Sequence, residues 1–426
     1  MHRHPASRGV QRGVASLVVT LLLCLTMVLA IAFAHRDIAT EERRSANDYR
    51  SAQAFEAAEA GLEWALARVD DPARLDADCR PSADALAPSW RDRMLQIAAP
   101  GGIVTPTAWS DAGVATPLQS ACVRDASGWH CSCPTDGAAE LPAVDGRATA
   151  PAFTVRLASG PRPGLVRVVA NGCTRIDGGS ACVTDGSIDQ VASASHAALW
   201  AWVPALRSVP AAALTVHGDV VAGAAPLAVS NVARATGGLG LHAGGRIDAP
   251  SLRVVAPDGS SLGASVVAAD AELAALSADR FFARHFGMDE DAWSHQAAVT
   301  RIACTTDCAR VIATAVTAGR RLLHVDGDLV LDGPLQVGND NEPVALVASG
   351  AILLSGAVVI SGVLHGASLT WDDAPAGSGS VRGATLVAGD YRGDGAPDFV
   401  RDERLLSLLK TREGGFVRIN GSWKDF

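Results

Sequence analysis

Lysine is nearly missing from this 426-residue chain: Lys410 and Lys424 are the only two, and the formal net charge is −9. A chain with no basic field has nothing to hold a polyphosphate backbone, so nucleic acid is a poor partner. Aromatic residues make up 5% and charged residues 19%, against 42 glycines. So few large rings and so many small residues argue against a helical bundle and for a β-rich body with tight turns. No P-loop and no dinucleotide fingerprint occurs. The length favours more than one domain.

Charge is absent from Val14 to Ala34, a run of 21 residues. As a helix this run spans roughly 32 Å, about the hydrocarbon thickness of a bilayer. Arg3, Arg8 and Arg12 precede it, so the positive-inside tendency leaves residues 1–13 in the cytoplasm and sends the body outward. The run is longer than the apolar core of a cleaved secretory signal. Proline is missing from Val14 to Asp71, where Gly61 is the single glycine, and Pro72 ends the pattern. The expectation is one helix over 14–71, roughly 87 Å long. Tyr49, Ala52, Phe55, Glu59, Leu62, Leu66 and Val69 fall at spacings of three and four, the spacing of a stripe that docks on a globular body or on other helices. A stalk that only lifts the outer body off the membrane has the same spacing.

The segment from Arg12 to Leu66 resembles the N-terminus of PilX-type minor pilins. The resemblance rests on Arg12–Gly13, the apolar helix, Glu42–Arg43, Asn47, and Ala54 to Leu62 with Phe55 and Glu59. It implies a non-enzymatic type IV pilus assembly protein. Prepilin peptidase would cut between Gly13 and Val14, removing the leader 1–13, and the helix would leave the inner membrane to pack among the major pilin and other minor pilins. Pilins normally carry glutamate as the fifth mature residue, where this chain has Val18. A subunit without that carboxylate has none to satisfy in apolar surroundings and cannot neutralise a neighbour's amine. In this the chain resembles the tip pseudopilin of type II secretion, which implies a priming or tip position. The stretches "FFARHFGMDEDAW", "HVDGDLVLDG" and "GSWKDF" resemble longer PilX-type proteins with β-helical bodies.

Cys24 sits in the apolar run as a small packing residue. Cys79, Cys122, Cys131, Cys133, Cys173, Cys182, Cys304 and Cys308 lie beyond it, an even number in what the topology makes an oxidising compartment. Proximity suggests Cys173–Cys182 and Cys304–Cys308, with the first four forming two bridges among themselves; Cys131 and Cys133 are too close to pair with each other. A zinc site from the first four is the rival, though it lacks paired C-x-x-C knuckles.

The expected fold is α+β: the N-terminal helix, a disulfide-braced α+β region over 72–205 that is irregular up to about residue 151, and a β-rich domain over 206–426 with a helical insertion near 269–296. In the last domain, strands ended by Gly or Asp-Gly recur at roughly 17–22 residues, the size of a β-solenoid coil. An antiparallel sandwich is the alternative.

Motifs for chemistry are weak. Ser261 in "GSSLG" lacks the strand-then-helix setting of a nucleophile elbow and reads as a turn. Asp326, Asp328 and Asp332 suit coil corners better than a glycan-cleaving site, and Asp390, Asp394 and Asp398 suit a solvated turn better than calcium. Arg392–Gly393–Asp394 is short enough to arise by chance. His217, His242, His324 and His365 lack ligand spacing and read as structural. No catalytic, cofactor-binding or metal residue is assigned; calcium stays as the possible ion at the aspartates. The rival to a pilin is an envelope-anchored β-solenoid that acts as an adhesin or carbohydrate binder.

Overall fold

The computed structural model describes residues 12–84, 87–98, 103–111, 113–141, 150–174, 176–177, 181–182, 192–304 and 306–425. One helix runs from Arg12 to Val69, over 58 residues rich in Ala, Leu, Glu and Arg. A β-rich body follows, so the chain is α+β.

The last turns of the helix lie on an antiparallel sheet. Its strands run in the order Gly414–Arg418, Ser193–Pro204, Leu165–Cys173, Ala152–Ser159, Gln119–Asp125 and Gly128–Ser132. The docked face of the helix is Ala54, Ala57, Ala58, Gly61, Leu62, Ala65 and Val69, all buried. The expected stripe meets this face only toward its end, where Leu62 and Val69 are buried and Leu66 is partly buried against the same core. Tyr49, Ala52, Phe55 and Glu59 are exposed. The reason is close approach. A Cβ on Gly172 would fall onto the backbone at Ala54 and Ala58, and one on Gly61 would meet the Phe153 ring at 3.0 Å. Larger side chains at this contact would hold helix and sheet apart.

Before the sheet, where the sequence reads as irregular, Leu95–Ala98 pairs with Ile103–Pro106 and Ala108–Asp111 with Val114–Pro117. The bridges are Cys79–Cys133, Cys122–Cys131, Cys173–Cys182 and Cys304–Cys308.

The distal half is built of three parallel ladders that the chain visits in turn. Along the first, neighbouring rungs are 266–267, 241–243, 214–216, 384–387, 363–366, 345–348, 322–325 and 299–302. Leu322 faces Ala345, Ala345 faces Val363 and Val363 faces Ala384, offsets of 23, 18 and 21 residues. The second ladder runs from Ile247–Asp248 to Leu329–Asp332 and the third from Arg253–Val255 to Leu335–Val337, in the same rung order. Inside, Val337, Ile360, Val381, Phe399, Val229 and Val254 form one such column. Gly362 and Gly383, at φ 137° and 133°, stack at a corner where a Cβ on either would strike the backbone of the rung before it.

The rung order reveals how the chain is threaded. It enters the stack in the middle at Leu214, builds outward to Val267, and then leaves the ladders. Short helices Ala271–Ala274, Ala278–Phe286 and Glu290–Ser294 carry it outside to the opposite end. It climbs back from Val299 to Val387 and closes against its own first rung, Leu214–Val216. The amphipathic helix Cys308–Thr317 packs by Ile312 and Cys308 onto one end of the stack. Helix Glu403–Thr411 then returns the chain to the proximal sheet, which Gly414–Arg418 joins as a strand beside Ser193–Pro204.

Candidate functional site

The N-terminal helix meets two environments. Large apolar side chains from Leu17 to Phe33 are 49–70% exposed. The window that qualifies as a membrane span has a mean hydropathy of 2.8 and none of it is buried. Thr20 Oγ1 donates to Ser16 O and Leu17 O, and Thr26 Oγ1 donates to Leu23 O at 2.9 Å. Polar groups are thereby satisfied within the helix, as hydrocarbon surroundings demand. Cys24 is a free, exposed thiol.

The residues singled out for processing and assembly lie far apart along this rod. Gly13 and Val14 fall in its first turn, where side chains lie outside the described residues. Val18 is half exposed on the apolar part. Glu42, Arg43 and Asn47 lie on an exposed polar part, where Asn47 Oδ1 accepts from Arg50 at 3.2 Å. Phe55 and Glu59 are further on, beside the body. Val18 and Glu59 are roughly 60 Å apart along the axis. The helix is thus an extended surface and not a converging site.

Where the helix meets the body, its contacts come from residues distant in sequence. Phe55 stands edge-on to the buried His196 ring at 4.4 Å, and His196 meets Trp423 at 5.3 Å. Burial lowers the His196 pKa, against the nearby Glu59 and Asp425. Glu63 pairs with Arg418 at 3.3 Å. Asp70 Oδ1 accepts from the Phe416 N–H at 2.8 Å, and burial pushes its carboxyl up to about 6 despite that bond and Arg91 nearby. Arg91 donates to Gly414 O at 3.0 Å. The C-terminal strand therefore clamps the end of the helix. Sequence reading missed Asp70, Arg91 and His196, because their partners lie some 130 to 350 positions away and leave no periodic signal; Gly172 inside a strand was the one local hint of a close approach.

The four singled-out histidines are placed along the outside of the first ladder, beneath the helical excursion. His217 Nε2 lies 2.7 Å from Leu276 O, His242 Nε2 lies 2.6 Å from Asp270, and His324 Nε2 lies 3.0 Å from Glu290. His365 packs among Phe281, Phe282 and Phe286, and burial drives its pKa down to about 3. Each imidazole fastens the excursion to a rung.

The aspartates serve the coils. Asp328 Oδ1 accepts from the Ala351 N–H of the next coil at 2.8 Å, and Asp390 Oδ1 from the Asp219 N–H at 2.9 Å. Asp326 pairs with Arg301 at 3.0 Å, while Asp332 ends a strand opposite Ser355. Asp394 accepts from the Asp373 N–H, Arg392 pairs with Asp390 at 3.1 Å, and Asp398 is a partly buried carboxyl whose pKa burial raises. Ser261 caps the one-turn helix Leu262–Ser265 by accepting from the Ala264 N–H, in place of the expected β-turn. Among the described residues no cluster of His, Cys, Asp or Glu is arranged to hold a metal.

Residues 12–63 match the PilX N-terminal family, so the N-terminal helix is of the type IV pilin-like kind, and its apolar stretch is consistent with a membrane-anchored pilus component. The crystal structure of the competence-associated pilin ComZ from Thermus thermophilus is similar over 88% of this chain and 97% of that one, at 12% identity and a TM-score of 0.22. Among curated proteins none matches.

Proposed function

We propose that the chain is a PilX-like minor pilin that primes a type IV pilus or sits at its tip, without enzymatic activity. The observation that carries this reading is the uncharged, unburied stretch of the helix over residues 16–34, an apolar surface that either lipid or a bundle of like helices would cover. In this reading prepilin peptidase cuts after Gly13, residues 1–13 stay cytoplasmic, and the body stands outside the inner membrane. The helix then exchanges lipid for the helices of the major pilin and other minor pilins. Val18, in place of a buried carboxylate, and a body larger than one sheet both support a terminal position, since a bulky last subunit blocks further addition. The three parallel ladders support reading 214–401 as a β-solenoid.

N-terminal sequencing of the mature protein tests the proposal: Val14 should be first, and loss of the peptidase should restore thirteen residues. Immunogold labelling should place the body at filament ends. A mature chain beginning at Met1, or label spread evenly along filaments, would refute processing or the terminal position respectively.

A further inference from the structure

A cleft of about 750 Å³ opens beside the docked helix, between its last turns, the loop at Asp78–Pro81 and the edge strand Gly128–Ser132. Its aromatic wall draws on two elements, with a buried ring of the sheet behind them. Trp64 of the helix and Trp129 of the edge strand both lean on Phe153 of the sheet, with ring centroids 5.8 and 5.0 Å away. Trp90 holds Trp64 edge-on from behind at 5.6 Å. Trp129 is 41% exposed, a large apolar ring left open to solvent on a short strand. Around these rings stand Arg80, Asp78 and Glu140, whose side chains make no ion pair or hydrogen bond with other described residues.

The walls are fixed before any ligand arrives. Cys79–Cys133 fastens the loop and Cys122–Cys131 cross-links the hairpin that carries Trp129. Buried Arg93 ties the same loop down, donating to Leu75 O, Asp76 O and Cys133 O. A preformed cleft of this size, with aromatic faces and a few outward polar groups, is a small-molecule site in build. The rim decides the class. Arg80 stands beside Asp78 and Glu140, while Arg68, over the Trp64 ring, and His130 also line the cleft and are paired with Asp71 and Asp125, so an anion meets Asp78 and Glu140 and a cation meets the guanidinium groups. A polyol meets donors and acceptors together, and a pyranose also has an apolar C–H face to lay on a ring.

We propose that this cleft binds a short neutral oligosaccharide, one sugar face stacked on Trp129 with Trp64 beside it, and its hydroxyls bonded to Arg80, Asp78 and Glu140. Trp64 stands roughly 45 Å along the helix beyond Ala34, so the cleft lies clear of any membrane that the apolar stretch spans. That placement rests on the pilin reading; the binding itself does not.

The test uses the full chain in a detergent without a sugar headgroup, titrated with malto-, cello- and chitohexaose by calorimetry and tryptophan fluorescence. At least one should bind, with Trp129→Ala weakening it about tenfold or more and Trp129→Phe holding within a few-fold. Trp423→Ala, which removes an exposed tryptophan elsewhere, should leave affinity unchanged. Because Trp129 is exposed, its variants should keep the wild-type circular dichroism. No saturation by any of the three up to about 10 mM, equal affinity of Trp129→Ala, or binding of an oligogalacturonate alone would overturn the proposal, whatever the filament experiments return.

Discussion

In the proximal half a helix lies on an antiparallel sheet through alanines and glycines, and three of the four disulfides sit in or beside that sheet. In the distal half Leu, Val, Ile and a few aromatics stack rung upon rung, and the remaining disulfide only pins the helix at one end. The difference teaches where each half is sensitive. Backbone-to-backbone contact tolerates no added atom, whereas a repeating column tolerates no missing one. The proximal contact is singular, so one residue can undo it; the distal column spreads its energy over several coils.

The sharpest way to break the comparison is Gly172→Val. Its side chain would meet the helix backbone on one side and the sheet on the other, so undocking is expected, at on the order of 4 kcal/mol or more. Limited proteolysis within 54–69 together with urea unfolding would read it. The distal counterpart is Leu364→Ala, which opens the column between Leu346 and Thr385. It should cost about 3 kcal/mol with the proximal sheet still folded, as seen by a two-step melt.

Asp70 separates the halves by pH. Its folded pKa of about 6 lies above the ordinary aspartate value of 3.8. The folded state therefore holds the extra proton, and its stability contribution is present at low pH and lost as pH rises from about 4 to about 6. The loss amounts to up to about 3 kcal/mol. Distal His285 and His365 carry the opposite sign. Burial lowers them from 6.5 to about 4 and about 3, so their contribution is present above about 6.5 and is lost as pH falls through those values. Asp70→Asn keeps an acceptor for Phe416 and should remove only the proximal component, visible as the difference between the two stability–pH curves. Smaller still, Asp328→Ala leaves the Ala351 N–H without its acceptor and should cost about 1 kcal/mol by thermal melting. Tyr49→Ala, on the undocked side of the helix, should change stability by no more than about 0.5 kcal/mol.

The distal column was legible in part, because repeats of β-branched residues ended by glycine announce stacked strands whatever their partners. The docked helix face is legible only toward its end, for the converse reason. A 3–4 spacing of large residues marks one possible stripe, but a second stripe of alanines runs beside it, and only the flat, glycine-bearing sheet selects the smaller one. The aromatic cleft was not legible at all, since Trp64, Trp129 and Phe153 meet only once three separate elements pack.

By itself the sequence determined the long helix and its apolar, uncharged stretch, since helix propensity, missing prolines and missing charges are local properties that act without partners. The tertiary structure alone decided which face of that helix is buried, that Leu214–Val216 closes against Thr385–Val387 in mid-stack, and that the C-terminal strand clamps Asp70. Those outcomes depend on contacts between residues up to hundreds of positions apart, which are chosen by shape and burial and leave no pattern along the chain.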